Sequence, residues 1–246
     1  MTNTIILIPS RLAATRLPNK PLLKINNISI INHVYNRAVS SGIGEVYVAT
    51  GDKEIFKEVI ENGGKCVLTE MEHKTGTDRI FEAYKKLKLK NIDYIINLQG
   101  DEPMIDIEDI KNLNNSAIKK KSMIATLACK IKNNSILKDR NVVKVATEKE
   151  LSKHKLTKAK FFLREVSNNK MDFIYHHVGI YNYKTDVLEE FVNLKQTQNE
   201  ISQKLEQLRA MENNINIDAI LANSIPIGVD TQKDYLEIKK LMEYKS

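Results

Sequence analysis

Short apolar runs alternate with amphipathic stretches along most of this 246-residue chain, and that alternation limits its fold more than any other feature. The runs at Thr4–Ile8, Glu45–Thr50, Tyr94–Leu98, Met123–Cys129, Val142–Thr147, Phe173–Tyr183 and Ile215–Leu221 read as strands. Helical spacing of apolar residues marks Ser29–Ser40, Lys53–Asn62, Asp78–Leu89 and Ile107–Ser116, with two later helices at Glu200–Asn213 and Gln232–Tyr244. Strands that alternate with helices predict an α/β fold: a mostly parallel central sheet with helices on both faces. The stretch from Cys129 to Tyr183 is richer in strand and loop, so a smaller mixed, strand-rich portion is expected there. No internal repeat or low-complexity linker interrupts the chain, which reads as one domain, 1–246.

A hydrophobic content of 42% suffices for a sizeable core. The net charge of +7 admits anionic partners. Its lysines are dispersed among Asn and Ile, Trp is absent, and the aromatics do not alternate with Arg or Lys, so nucleic acid is not an expected partner. Cys66 and Cys129 form no CxxC or Cys/His cluster and read as buried thiols. No segment approaches the roughly 20 apolar residues of a membrane span, and the first apolar run is too short for a signal peptide. The expectation is a reduced, cytoplasmic protein with no membrane partner.

In an open α/β sheet, ligands gather at the carboxyl ends of the strands. The first such end opens a loop, Pro9-Ser10-Arg11-Leu12-Ala13-Ala14-Thr15-Arg16-Leu17-Pro18-Asn19-Lys20-Pro21-Leu22, with three cations and two prolines that stiffen it. Guanidinium groups grip phosphate oxygens in pairs and a lysine adds a point charge, so Arg11, Arg16 and Lys20 suit a polyphosphate. A solvated connector is the plainer reading. After the run ending at Leu98 comes Gln99-Gly100-Asp101-Glu102-Pro103, where Gly100 permits a sharp turn or a close approach to a ligand. Asp101 is placed either to hold magnesium carried by a nucleotide or to cap the next helix. Asp230, in Gly228-Val229-Asp230-Thr231, poses the same choice, and taken alone an N-cap is the simpler role. Together the two carboxylates could hold a divalent metal against a triphosphate.

His73-Lys74-Thr75-Gly76-Thr77-Asp78-Arg79 opens a helix, and Thr75 with Asp78 fits a variant of the capping box. Its free amides could hold a base or ribose, or simply end a capped helix. In His176-His177-Val178-Gly179-Ile180-Tyr181, strand alternation puts 177, 179 and 181 on one face, so His177 and Tyr181 could flank Gly179 as a polar wall. With no third ligand nearby, zinc is discarded. Glu206 and Gln207 lie on a helix, where Glu206 reads as a surface residue paired with Arg209 three positions on.

The segments IPSRLAATRLPNKPL, HKTGTDR, NLQGDEPMI, VVKVAT, HHVGIY, LEQLR and GVDT, in this order from Ile5 to Asp230, resemble the 3-deoxy-manno-octulosonate cytidylyltransferase family, the CMP-Kdo synthetases of lipopolysaccharide synthesis. The resemblance implies a Rossmann-like nucleotidyltransferase fold, a homodimer, and magnesium-dependent transfer of CMP from CTP to Kdo with release of pyrophosphate. By it, Arg11, Arg16 and Lys20 hold the CTP phosphates, Thr75, Gly76 and Gln99 lie around the cytidine and the reaction centre, and Asp101 and Asp230 bind magnesium. Lys20 and Asp101 are then the catalytic pair. Arg164, His177, Tyr181, Glu206 and Gln207 recognise the sugar acid, with Arg164 facing its carboxylate, which replaces the surface reading of Glu206.

The chain departs from the family pattern in several places. Asn19 stands for Gly, Thr75 for Ser, and Leu163 for Ser before Arg164; the loop from Arg164 to His177 is short. The family's Ala-Thr-Asp is Ala-Thr-Gly51 here, with Asp52 one place late and no role assigned to it. The rival readings are a cytidylyltransferase for another sugar acid such as sialic acid, a basic nucleic-acid-binding module, and an inactive nucleotide-binding protein.

Overall fold

The computed structural model describes residues 2–13, 16–166, 172–225 and 227–244. The chain divides into two compact units, the first made of Asn3–Ile92, Asn97–Ile107 and Pro226–Ser246, the second of Met1–Thr2, Asp93–Ile96 and Glu108–Ile225.

In the first unit, β1 (Thr4–Ser10) is followed by a 3-10 turn at Lys20–Leu22 and a two-residue hairpin, β2 (Lys24–Ile25) and β3 (Ile28–Ser29). Helix α1 (Ile30–Ser40) follows, started by Ser29, whose side chain accepts from the Asn32 amide. Then come β4 (Val46–Thr50), α2 (Lys53–Glu61), β5 (Cys66–Leu68) and α3 (Gly76–Leu87). Strands β1 and β4 pair in parallel from Ile6 opposite Val46 to Ser10 opposite Thr50, and β4 pairs in parallel with β5. The segment leaving residue 97 joins this edge, where the Leu98 amide donates to Leu7 O at 3.1 Å. Parallel pairing aligns the carboxyl ends, so the loops after Ser10, Thr50, Leu68 and Leu98 all emerge at one edge. A cluster of Leu17, Ile25, Ile30, Val229 and Ile238 is buried between the basic loop, the hairpin and the C-terminal helix (Gln232–Glu243). Apolar burial there ties the segment before Thr231 to the loop that carries Lys20.

The second unit contains β6 (Tyr94–Asn97), α4 (Ile107–Lys120), β7 (Ile124–Lys130), β8 (Lys144–Thr147), β9 (Thr157–Leu163) and β10 (Ile174–Lys184). After them come α5 (Thr185–Asn193), α6 (Gln198–Gln203), α7 (Gln207–Glu212) and β11 (Ile217–Leu221). Here β10 is antiparallel to both β7 and β8, β8 to β9, and β9 to β11, while β11 is parallel to β7. The pairings thus return to β10 and close a small ring. The pairing is mixed rather than mostly parallel, which corrects the sequence expectation, although the strand-rich portion lies where it was expected. Between β7 and β10 the described chain has no helix longer than the 3-10 turn Asn134–Lys138, so it lacks the crossover helix that a parallel neighbour needs.

Two further differences are instructive. The single helix expected at Glu200–Asn213 is two, because Lys204 adopts a left-handed conformation (φ 52°) that ends α6. Strand β9 went unread because its pairing with β8 skips Lys160, placing Ala146 opposite Phe161 and Thr147 opposite Ala159. That bulge leaves Ala159 and Phe162 buried at a spacing of three, which hides the period of two.

Candidate active site

At the carboxyl edge of the first unit lies a cavity of about 360 Å³, whose lining includes Arg11, Arg16, Lys20, Thr75, Gly76, Gln99, Asp101 and Asp230. Every residue that the sequence reading assigned to nucleotide or metal therefore lines one cavity. At its centre Lys20 Nζ donates to Asp101 Oδ2 at 2.6 Å and to Asp230 Oδ1 at 3.3 Å. Arg16 Nη2 lies 3.2 Å from the same Asp230 oxygen. The Lys20 side chain keeps only 14% of its surface exposed, so this ion pair is partly sheltered from solvent screening.

Backbone geometry sets these side chains. The Val229 amide donates to Asp101 O at 2.9 Å, which holds the two acidic segments side by side. The C-terminal helix is capped by Thr231, whose side chain accepts from Asp234 in a full capping box. Asp230 is thus not the cap, and its carboxylate is left to the cations. Asp101 likewise precedes α4 by six residues, too far to be its N-cap. Gly100 lines the cavity and serves a close approach to protein: a Cβ there would lie 3.0 Å from Pro9 O. Thr75 is the N-cap of α3, accepting from the Asp78 amide at 3.1 Å, and with Gly76 it places the start of that helix in the cavity lining.

Carboxylates crowd one another at this edge. Beside Asp101, Glu102 Oε2 is shut off from solvent without a hydrogen-bond partner among the described residues. Burial, then the neighbouring Asp101 and Asp230 carboxylates, push its pKa up to about 8. Two carboxylates with no third acidic or His/Cys ligand among the described residues suit magnesium, which takes one or two protein carboxylates and completes its shell with water and phosphate.

The sequence reading missed Arg79, which lines the same cavity although its residue is only 4% exposed. Its guanidinium donates to Thr69 Oγ1 (2.6 Å), Glu70 O (3.0 Å) and Met71 O (2.9 Å), so it stiffens the segment leading into α3. Ser10 Oγ, enclosed and without a partner among the described residues, also lines the cavity. Neither role has a local signal, because each depends on what the fold puts opposite.

The residues assigned to the sugar acid all lie in the second unit. His177 and Tyr181 share a face with ring centroids 5.4 Å apart, and Phe162 meets His177 edge-on at 5.0 Å. The expected alternation survives a bulge, since Val178 opposes Leu127 and Tyr181 opposes Thr126, an insertion of two residues that keeps the parity. Thr126 Oγ1 lies 2.7 Å from Ile180 O and 3.1 Å from His177 Nε2. With the hydroxyl proton given to the carbonyl, His177 Nε2–H donates to Thr126. Burial, then the neighbouring His176, push the His177 pKa down to about 3. His177 is accordingly expected to stay neutral and show no NMR titration between pH 5 and 8, whereas the unfolded chain takes up its proton near pH 6.5. Its folded value lies below the unfolded one, so it lowers stability progressively as pH falls through that range.

Burial, then Tyr183 and Glu206, raise the Tyr181 hydroxyl well above its ordinary value, which brings Glu206 to the same wall. Glu206 Oε1 lies 3.8 Å from Arg209 Nη2, but Arg209 belongs to Glu200, to which Nε and Nη2 donate at 2.9 and 2.5 Å. Gln207 is 9% exposed. The Arg164 guanidinium donates to Gln203 O (3.0 Å), Lys204 O (2.8 Å) and Arg140 O (3.2 Å). It satisfies the terminal carbonyls of α6 and so stabilises the break after which Glu206 and Gln207 begin α7. Part of the short loop following Arg164 lies outside the described residues.

A family model for cytidylyltransferases matches residues 5–217. Curated relatives named 3-deoxy-manno-octulosonate cytidylyltransferase include one from Paramagnetospirillum magneticum, 39% identical over 97% of both chains, and one from Bartonella tribocorum, 41% identical over 97% of this chain and 98% of its own. Among solved structures, CMP:2-keto-3-deoxy-manno-octonic acid synthetase complexed with CTP superposes with a TM-score of 0.90 at 35% identity over all of both chains. UDP-glucose pyrophosphorylase complexed with UDP-glucose, at a TM-score of 0.73 and 14% identity over all of both chains, shares the fold alone. With identity sustained along its whole length, the chain belongs to the cytidylyltransferases, in the 3-deoxy-manno-octulosonate cytidylyltransferase family.

Proposed function

We propose that this enzyme transfers CMP from CTP to Kdo, giving CMP-Kdo and pyrophosphate. The observation that carries the reading is Lys20 bridging Asp101 and Asp230 inside a cation-lined cavity, in a chain so similar to a synthetase solved with CTP. Arg11, Arg16 and Lys20 bind and orient the triphosphate, and Thr75, Gly76 and Gln99 hold the cytidine end. The anomeric hydroxyl of the sugar acid attacks the α-phosphorus in line, and the bond to the β-phosphate oxygen breaks to release pyrophosphate. Catalysis is then mostly positioning and electrostatics. Asp101 and Asp230 would hold magnesium, which would neutralise charge on the triphosphate. His177, Tyr181, Glu206 and Gln207 recognise the sugar acid, and Arg164 shapes the segment from which the last two project.

The cytidylyltransferase model spans parts of both units, which supports reading the chain as one nucleotidyltransferase domain. No helix among the described residues is long and apolar enough to cross a membrane. The enzyme works in the cytoplasm as a homodimer supplying lipopolysaccharide synthesis, as the resemblance implies. Pyrophosphate release tests the reading: CTP with Kdo is expected to exceed ATP, GTP or UTP by about a hundred-fold or more. Equal rates with all four nucleotides would remove the cytidine assignment. A higher rate with sialic acid than with Kdo would redirect it to another sugar acid.

A further inference from the structure

The Gly51-Asp52 pair, which departs from the family pattern, has a physical explanation. Position 51 has no room for a side chain: a Cβ there would lie 2.7 Å from Met71 Cα and 2.9 Å from Glu70 O. An acidic side chain at the end of β4 has to come from the next residue. Asp52 occupies the N-cap position of α2, where an Asp ordinarily turns its carboxylate back onto the amides of the first helical turn. It makes no such bond. Its Oδ2 instead accepts the Leu12 amide, 40 positions earlier, at 2.9 Å. Its own amide donates to Oγ1 of the fully buried Thr50 at 3.1 Å, so the anchor is rigid.

We infer that Asp52 is a positioning residue for the phosphate-binding loop: by holding the Leu12 amide it fixes the loop's first turn and presents Arg11 to the triphosphate. It is not among the residues that line the cavity. The carboxylate also lies in the field of Arg79, which feels Arg11 in turn, so it offsets the repulsion between two guanidinium groups that line one cavity. The inference rests on reading that cavity as the CTP site.

The test compares Asp52→Ala, which removes the acceptor, with Asp52→Asn, which keeps an oxygen for the Leu12 amide. CTP affinity is measured by calorimetry, with kcat, both KM values and the thermal midpoint alongside. For Asp52→Ala the CTP Kd and KM are expected to rise about ten-fold, as for loss of a hydrogen bond to a charged group, with kcat and the Kdo KM nearly unchanged. Asp52→Asn is expected to recover most of that loss. Unchanged CTP affinity in Asp52→Ala, equal losses in both variants, or a fall in kcat at constant KM would each overturn the role. The wild-type titration separates the two readings. No CTP binding by wild type removes the nucleotide site and this role with it, whereas binding that Asp52→Ala fully retains removes this role alone.

Discussion

Asp101→Asn is expected to lower turnover about a thousand-fold or more while leaving the fold in place. The substitution is nearly isosteric, and the Asn oxygen still accepts from Lys20 Nζ, which now lies 2.6 Å from the carboxylate. What disappears is one of the two negative charges that would hold magnesium against the triphosphate. A thermal midpoint within a few degrees of wild type separates this loss from unfolding. The charge has a second readout. Burial, Asp101 and Asp230 together hold the Glu102 pKa at about 8, so removing one carboxylate is expected to lower it toward the ordinary range. NMR titration of Glu102 detects that shift without reference to activity. Full activity of the Asn variant at ordinary magnesium would sink the metal assignment.

The largest stability effect is expected at Arg209. Its side chain and that of Glu200 are 3% and 4% exposed, joined by two hydrogen bonds, with the guanidinium carbon 4.7 Å from the centre of the Phe191 ring. Arg209→Ala leaves a buried carboxylate without its partner, a change that costs about 3–5 kcal/mol. Urea denaturation reads it as a lower midpoint at constant slope. The double variant Arg209→Met with Glu200→Gln is expected to recover much of the loss, since neither charge is then stranded. Burial pushes the Glu200 pKa up, but hydrogen bonds from Arg209 and Gln196 outweigh it and the net value is lowered. The pair's stabilisation is therefore fully present above the unfolded carboxylate value near 4.5 and is lost as pH falls through the lower folded value. A single-variant loss below about 1 kcal/mol would mean that the pair is as weak as an exposed one.

These two sites differ in how far the chain announced them. Asp101 follows an apolar run and a glycine, a local pattern, and the structure puts it where that pattern implies. Arg209 was read as the partner of Glu206, at helical spacing. That pair is present at 3.8 Å, but the buried hydrogen bonds of Arg209 go to Glu200, nine residues away on a separate helix. A break at Lys204 intervenes, and a left-handed lysine has no sequence signature of its own. Arg164 makes the same point. Its charge suggested a substrate carboxylate, and nothing local announced the three backbone carbonyls of distant segments to which its guanidinium also donates.

Period and punctuation along the chain were enough to determine the α/β class, most of the long elements though not α5 or β9, and the loop and turns that hold the cations and carboxylates. These depend on neighbours within a few residues, where alternation, caps, glycine and proline act. Only the tertiary structure decided the mixed ring around β10, the pairing of Asp230 with Lys20 and Arg16 instead of a helix cap, and the recruitment of Asp52 by the basic loop. Each is a hydrogen bond or strand pairing between segments far apart in sequence, and the residue types alone are compatible with either outcome.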